Sequence, residues 1–282
     1  MEKRTVYADN AATTRVSPEV VAAMLPYFTE VYGNPSSLHT VGQVAKEALD
    51  ASRKKIADIL GCAPEEIFFT SCGTESDNWA IKGTVGAKIK NGKKHIITTK
   101  IEHHAVLHTC EALAKQGCEV TYLDVDKYGK VNPDDVEKAI RPDTAIVAVM
   151  YANNEVGTIE PIKEIADICH AHGVTFFTDA VQAAGALPIN VKEIGCDLLS
   201  ASGHKIHAPK GIGILYVKKG TRLANLIDGG GQERSKRSGT ENIPEIVGLA
   251  KAFELSRENM KNNDALIAKR DRLIKEILTI PD

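Results

Sequence analysis

Short apolar runs rich in β-branched and aromatic residues recur along the chain: Ile67 to Thr70, His95 to Thr99, Glu119 to Leu123, Ala145 to Met150, Val174 to Thr178, Asp197 to Ser200 and Gly213 to Val217. The segments between them read as helices. Val41 to Leu60 carries Val44, Ala48, Ala51 and Ile59 at helical spacing and stops at Gly61, and Pro161 to His172 opens on proline and ends at Gly173. This alternation predicts an α/β fold: a mostly parallel, seven-stranded sheet with helices on both faces. Only a Gly/Pro loop separates the last two runs, too little for a crossover helix, so Gly213 to Val217 is expected to run antiparallel and the sheet to be mixed.

From Pro244 the pattern becomes one long charged amphipathic segment, with Leu266, Leu273, Ile274, Ile277 and Leu278 recurring at helical spacing up to Ile280-Pro281-Asp282. A stripe that still lacks a partner leads to the expectation that more protein follows. The chain is expected to divide into an N-terminal segment contributing to the active site (1–15), a large domain (16–243) and a linker helix (244–282) leading towards a small domain that this chain is expected to lack.

Composition narrows the function. The 282 residues are 43% hydrophobic, enough for a substantial core, and 35 Lys+Arg against 37 Asp+Glu give no basic excess for nucleic acid and no acidic tail. No apolar run approaches the roughly 20 residues that cross a bilayer. Met1-Glu2-Lys3-Arg4 leads into a strand-like segment without a signal-peptide core, so a cytoplasmic protein free of membrane is expected. The six cysteines, Cys62, Cys72, Cys110, Cys118, Cys169 and Cys196, form no CxxC pair and no zinc-ligand rhythm; they read as reduced structural thiols, and no metal is expected.

The chemistry gathers at strand ends, where loops of an open α/β sheet hold ligands. Lys205 closes Ser202-Gly203-His204-Lys205 just after Asp197 to Ala201, a place where an amine is partly dehydrated and can reach a carbonyl as a Schiff-base lysine. Asp179 follows the run Val174 to Thr178; an aspartate there can pair with the ring nitrogen of a pyridoxal cofactor, or simply cap the next helix. Gln182 could then donate to the cofactor's phenolic oxygen. Thr70-Ser71-Cys72-Gly73-Thr74-Glu75-Ser76 runs from a strand through a glycine turn into a helix expected to begin near Glu75, a phosphate-binding type of turn to which Ser202 and His204 could add contacts. In Glu102-His103-His104 either histidine could face an aromatic cofactor and pass protons, or be a surface residue. Asn153 to Gly157 offers an amide for the cofactor hydroxyl, or is a plain turn.

In this order the motifs resemble the cysteine desulfurases of the nitrogen-fixation and iron–sulfur-cluster type, in the pyridoxal-phosphate fold-type I superfamily. The stretches that carry the resemblance are Tyr7 to Thr14, Tyr32-Gly33-Asn34-Pro35-Ser36-Ser37, Thr70 to Asn78, Glu102-His103, Asn153 to Gly157, Asp179 to Gln182, Ser202 to Lys205 and Gly229 to Glu233 through Arg237-Ser238-Gly239-Thr240. The last of these favours this branch over the sulfur-mobilisation and selenocysteine-lyase branch. The resemblance implies pyridoxal 5′-phosphate attached to Lys205, with Asp179 at its ring nitrogen, Gln182 and Asn154 at its ring oxygen and His103, rather than His104, stacked on the ring. Gly73, Thr74, Ser202 and His204 would bind the phosphate, and Thr240 would reach the phosphate of the neighbouring subunit in a homodimer.

The implied reaction takes L-cysteine to L-alanine: Lys205 moves the α-proton, and an enzyme thiolate takes the sulfur as a persulfide for an iron–sulfur scaffold or another sulfur-acceptor protein. One feature departs from the pattern. In the family the nucleophilic cysteine lies on a mobile loop and a carboxylate-binding arginine in the small domain, both beyond the position of Asp282, and none of the six cysteines matches the nucleophile. Cys72, in the phosphate turn, is expected to face away from the substrate sulfur. The chain is therefore expected to be the large, cofactor-binding part of such an enzyme, weakly active alone. The rivals are another enzyme of this fold, such as a class V aminotransferase, and a non-catalytic scaffold that keeps the fold.

Overall fold

Alternation along the strands sorts the core onto two faces of one sheet. Phe69, Val147, Phe176, Leu199 and Tyr216 point to one side, and their neighbours Phe68, Ala148, Phe177, Leu198 and Leu215 to the other, as the two-residue period of a strand requires. Both faces are covered except along the edge strand Glu119–Leu123, which is why the other strands are buried almost from end to end rather than alternating between core and solvent. This is the arrangement in the computed structural model, which describes residues 5–281. The reading of Met1 to Arg4, and the terminal Asp282, lie outside the described residues.

The seven strands are β1 (Ile67–Thr70), β2 (His95–Thr99), β3 (Glu119–Leu123), β4 (Thr144–Ala148), β5 (Thr175–Asp179), β6 (Leu198–Ser202) and β7 (Gly213–Val217), in the order β1-β7-β6-β5-β4-β2-β3. β7 runs antiparallel to both β1 and β6, and the other pairs are parallel. The mixed sheet expected from the sequence is present. Its helices are α1 (Pro18–Met24), α2 (Pro26–Thr29), α3 (Thr40–Leu60), α4 (Gly73–Lys88), α5 (His104–Ala114), α6 (Pro133–Ala139), α7 (Ile162–Ala171), α8 (Val191–Ile194), a strained turn α9 (Gln232–Ser235), α10 (Ile243–Asn259) and α11 (Asn263–Ile277). Val20 and Met24 of α1, α3, α7 and α10 supply the first face's core, and α4 and α5 the second.

Three expectations need correction. The segment before Asn10 is not a strand: Thr5–Asp9 is irregular and leads into a turn in which the Tyr7 hydroxyl donates to Asp9 O at 2.8 Å and Thr13 O at 2.9 Å. The helix after the glycine turn starts at Gly73, not near Glu75, because Glu75 faces back to accept from Ser71 N–H at 2.8 Å. The segment after Pro244 is two helices, interrupted by a 3-10 turn at Met260–Asn262. Of these, α10 is packed against α3 and α1 through Ile246, Leu249, Ala250 and Phe253, whereas α11 buries no residue.

Strand register sets up the site. Thr70 and Ser202 both pair with Gly213, so the ends of β1 and β6 reach the same edge of the sheet as Asp179 at the end of β5. Gly213 must be glycine: a Cβ there would lie 2.8 Å from both Ala201 O and Cys72 C. That close approach brings the turn into α4 down onto the end of β6.

Candidate active site

A cavity of about 390 Å³ opens at this edge, lined by Cys72, Gly73, Thr74 and Asp77 from α4 and its turn, His103, Asn154, Asp179, Gln182, Ser202, His204 and Lys205. The remainder of the wall includes Asp9, Ala11 and Ala12 from the N-terminal segment. Chain reversals after β1, β2, β4, β5 and β6 thus meet in one place.

Lys205 closes a 3-10 turn (Gly203–Lys205) that follows β6 directly. Its Nζ donates to Ala11 O and, at 2.9 Å, to Ala12 O. Burial lowers the ammonium's pKa, opposed by the carboxylates of Asp179, Asp9 and Glu155. Lower basicity at a half-buried amine is what a nucleophile or proton carrier near neutral pH requires. Gln182 Nε2 also donates to Ala11 O, at 3.0 Å, and His204 Nδ1 lies 3.1 Å from Thr13 Oγ1. The N-terminal segment is therefore tied to three of the candidate residues.

Asp179 is 4% exposed. Its Oδ1 accepts from Val181 N–H at 2.9 Å, which tightens a turn rather than capping a helix, since the next helix begins only at Val191, and the same carboxylate faces the cavity. Burial raises its pKa, and Val181 N–H, His103, Ser200 and Lys205 pull it back down. His103 is the N-cap of α5, where Nδ1 accepts from Ala105 N–H at 3.1 Å, which assigns the ring proton to Nε2. His104 points elsewhere and stacks on His108 with ring centroids 4.9 Å apart. Geometry thus separates the two histidines.

Asn153 and Asn154 also divide the work. Asn153 Oδ1 accepts from Glu155 and Val156 N–H and its Nδ2 donates to Ile101 O, which builds the turn; Asn154 lines the cavity and donates to Glu155 Oε1 at 2.7 Å. Thr240 is not brought to this cavity. It lines a separate one with Arg237, Gly239 and Glu241. Asp77 and Ser200 had no signal of the strand-end or glycine-turn kind. Asp77 could have been noticed only because Gly73, Asp77, Ala80 and Thr84 share one buried face of α4.

Residues 6–281 match the class-V aminotransferase family. The chain belongs to that family. It is 57% identical over 281 residues to a protein of Methanosarcina thermophila named cysteine desulfurase IscS, a match covering 99% of this chain and 69% of that protein. Among solved structures, a NifS-like protein superposes with a TM-score of 0.95 at 43% identity, covering 98% of this chain and 76% of that one. A structure described as SspA in complex with cysteine gives a TM-score of 0.86, also at 43% identity, over 89% of this chain and 72% of its own.

The family's cofactor is pyridoxal phosphate, and the cavity fits it. Ser202 Oγ is buried without a hydrogen-bond partner, an orphan of the kind a phosphate oxygen satisfies. Gly73 lies beside it with space for no side chain: a Cβ would sit 2.8 Å from Val181 Cγ2 and 3.3 Å from Ser202 Cβ. Gly73→Ala is expected to weaken pyridoxal phosphate binding about tenfold, since overpacking a rigid wall costs about 1–3 kcal/mol; titration by absorbance checks it.

Proposed function

We propose that this chain acts on L-cysteine, holding pyridoxal 5′-phosphate in the Lys205 cavity and releasing L-alanine while sulfur passes to a thiolate as a persulfide. One observation carries the reading: Lys205, the buried Asp179, His103 and the unpartnered Ser202 hydroxyl converge on one cavity, in a chain 57% identical to a protein named cysteine desulfurase. When bound, pyridoxal phosphate supplies an electron sink for the Cα of the amino acid.

In this reading Gly73, Thr74, Ser202 and His204 hold the phosphate, and Asn154 and Gln182 hold the ring oxygen. Asp179, as an anion, keeps the proton on the ring nitrogen. Lys205 attaches the cofactor and, once released, moves the proton at the substrate Cα. His103, with its proton on Nε2, faces the same cavity as a second proton carrier. Burial pushes Cys62, Cys110 and Cys169 up to about 12 and Cys196 higher still, so none of these is a thiolate near neutral pH. Cys72 lies in the phosphate turn between Ser71 and Gly73, and we assign it no catalytic part.

The reading extends to a homodimer in which Thr240, lying in its separate cavity, serves the neighbouring subunit, and to a cytoplasmic enzyme that hands sulfur to an iron–sulfur scaffold or other acceptor protein. Among the described residues no helix is long and apolar enough to cross a membrane.

The test is to incubate the cofactor-loaded protein with L-cysteine and dithiothreitol, whose thiolate takes the sulfur where none of the six cysteines is placed to do so, and to measure alanine and sulfide. Equal amounts of the two support the reading; a keto acid formed with pyridoxamine phosphate would replace it with transamination. Cys72→Ala is expected to leave the rate within about twofold, because alanine keeps the backbone of the turn and removes only a thiol to which the reading gives no step.

A further inference from the structure

Asp77 is only 1% exposed, on the inward face of α4, and lines the same cavity as Asp179. The two carboxyls share one hydroxyl: Ser200 Oγ lies 2.6 Å from Asp77 Oδ1 and 3.4 Å from Asp179 Oδ1. A serine hydroxyl has a single proton to donate. Were both aspartates ionised, the hydroxyl could satisfy only one of them, and two negative charges would be buried next to each other at high cost. A proton on Asp77 removes both difficulties, because the Asp77 carboxyl then donates to Ser200 Oγ and frees the serine proton for Asp179 Oδ1.

The surroundings decide which of the two holds the proton. Asp179 has the Val181 N–H on Oδ1 and the positive or polarisable groups of His103 and Lys205 nearby. Asp77 meets Ser200 from β6, and otherwise Asp179 from β5, Glu102 from the loop after β2 and Cys72 at the start of its own helix, all of which oppose a negative charge. Glu102 is itself pushed up to about 8, chiefly by burial, so it adds to the crowding of carboxyls on this side. Burial and Asp179 raise Asp77 well above the ordinary carboxylate range.

We propose that Asp77 is a positioning residue, a neutral carboxyl that through the Ser200 hydroxyl fixes Asp179 as the ionised partner for a protonated pyridine nitrogen. This rests on the reading of the Lys205 cavity as the pyridoxal phosphate site. Asp77 itself touches neither cofactor nor substrate in this role. Its effect is to choose which oxygen of the pair stays charged and where that oxygen points.

The neutral form has a sign that can be measured without cofactor. A carboxyl that keeps its proton in the folded state but loses it on unfolding contributes stability that is complete below the ordinary carboxylate range and is lost as pH rises from there towards its raised folded pKa. Asp77→Asn, which preserves a neutral N–H donor to Ser200, removes that loss.

The cofactor-free protein should therefore lose less stability between about pH 5 and pH 8 as Asp77→Asn than as wild type, read by urea denaturation at each pH. Asp77→Asn should bind pyridoxal phosphate within about threefold of wild type and keep the pH midpoint of the visible absorption band, whereas Asp77→Ala and Ser200→Ala, which break the chain of donors, should each weaken binding about tenfold. Ser200→Ala serves as the second variant if Asp77→Ala does not fold. A denaturation profile for Asp77→Asn with wild-type pH dependence would show that Asp77 is ionised and overturn the proposal, as would an absorption band whose midpoint moves. Wild-type affinity in both Asp77→Ala and Ser200→Ala would overturn the link to Asp179 while leaving the cofactor site in place. A wild-type protein that takes up no pyridoxal phosphate would instead overturn the cofactor site, and the proposal with it.

Discussion

Lys205→Ala is expected to lose at least about 10³-fold in alanine and sulfide formation, because under the proposed function it removes both the amine that attaches the cofactor and the base at the substrate Cα, and general-base loss alone is worth about 10²–10⁴-fold. The variant should fold normally. Its side chain is only half-buried, and its two bonds are to Ala11 O and Ala12 O of the surface segment. Borohydride followed by mass measurement separates the roles: wild type should retain the cofactor covalently and Lys205→Ala should not. Rapid turnover by Lys205→Ala, or borohydride attachment at another lysine, would remove Lys205 from the proposed chemistry. Lys205→Arg is a stricter control, since it keeps a cation beside Asp179 but cannot supply a neutral amine.

The largest effect on stability is expected far from that lysine, at Glu233. Its carboxylate accepts from Arg53 Nη1 at 2.8 Å, from Arg53 Nη2 at 2.6 Å and from Phe69 N–H at 3.0 Å. Arg53 and Glu233 are 7% and 5% exposed, so Glu233→Ala strands a buried guanidinium and a buried amide. Removing one partner of such a pair typically costs about 3–5 kcal/mol. For a domain of this size that corresponds to a fall in melting temperature of roughly 10 °C. The consequence extends beyond stability. Glu233, Arg234 and Ser235 all adopt positive φ, of 45°, 58° and 62°, a strained run that persists only where surrounding contacts hold it. Arg234 adds to that hold by donating to Ile67 O at 2.8 Å and lying over the Phe68 ring at 4.0 Å. Once Glu233 lets go, the loop that continues to Arg237, paired with Glu75, and to Thr240 should loosen as well. Replacing both Arg53 and Glu233 by methionine should recover part of the loss, since no charge is then left unpaired. A Glu233→Ala protein melting within about 2 °C of wild type would mean that water reaches and solvates Arg53.

Much of this protein was legible in its residues because the relevant signals are local. Two buried faces make parallel strands largely apolar, so the seven runs stood out; Gly61, in left-handed geometry at φ 75°, marks the end of α3 as glycine does in many helices. The short Gly/Pro connection fixed β7 as antiparallel, since chain length forbids a crossover. Lys205 and Asp179 announced themselves by following apolar runs. The long segment after Pro244 reads as one helix because its apolar spacing continues across Met260–Asn262, where the backbone tightens without a Gly or Pro to mark it.

Other features depend on residues distant in sequence meeting in space, and no local pattern can show them. His103 and His104 have the same chemistry, and only the capping of α5 by the first directs it into the cavity while the second stacks on His108. Glu233 looks like a polar residue in a glycine-rich loop until the fold places it on Arg53, 180 positions away. Asp77 reads as one more polar helical residue until β6 sets Ser200 between it and Asp179. The sequence by itself determined which elements form and which residue types stand at their ends, because those follow from periodicity, caps and turn chemistry. The tertiary structure alone decided which buried charges face one another, and so which of them must be paired and which must keep a proton, because electrostatic cost depends on distance and burial rather than on order along the chain.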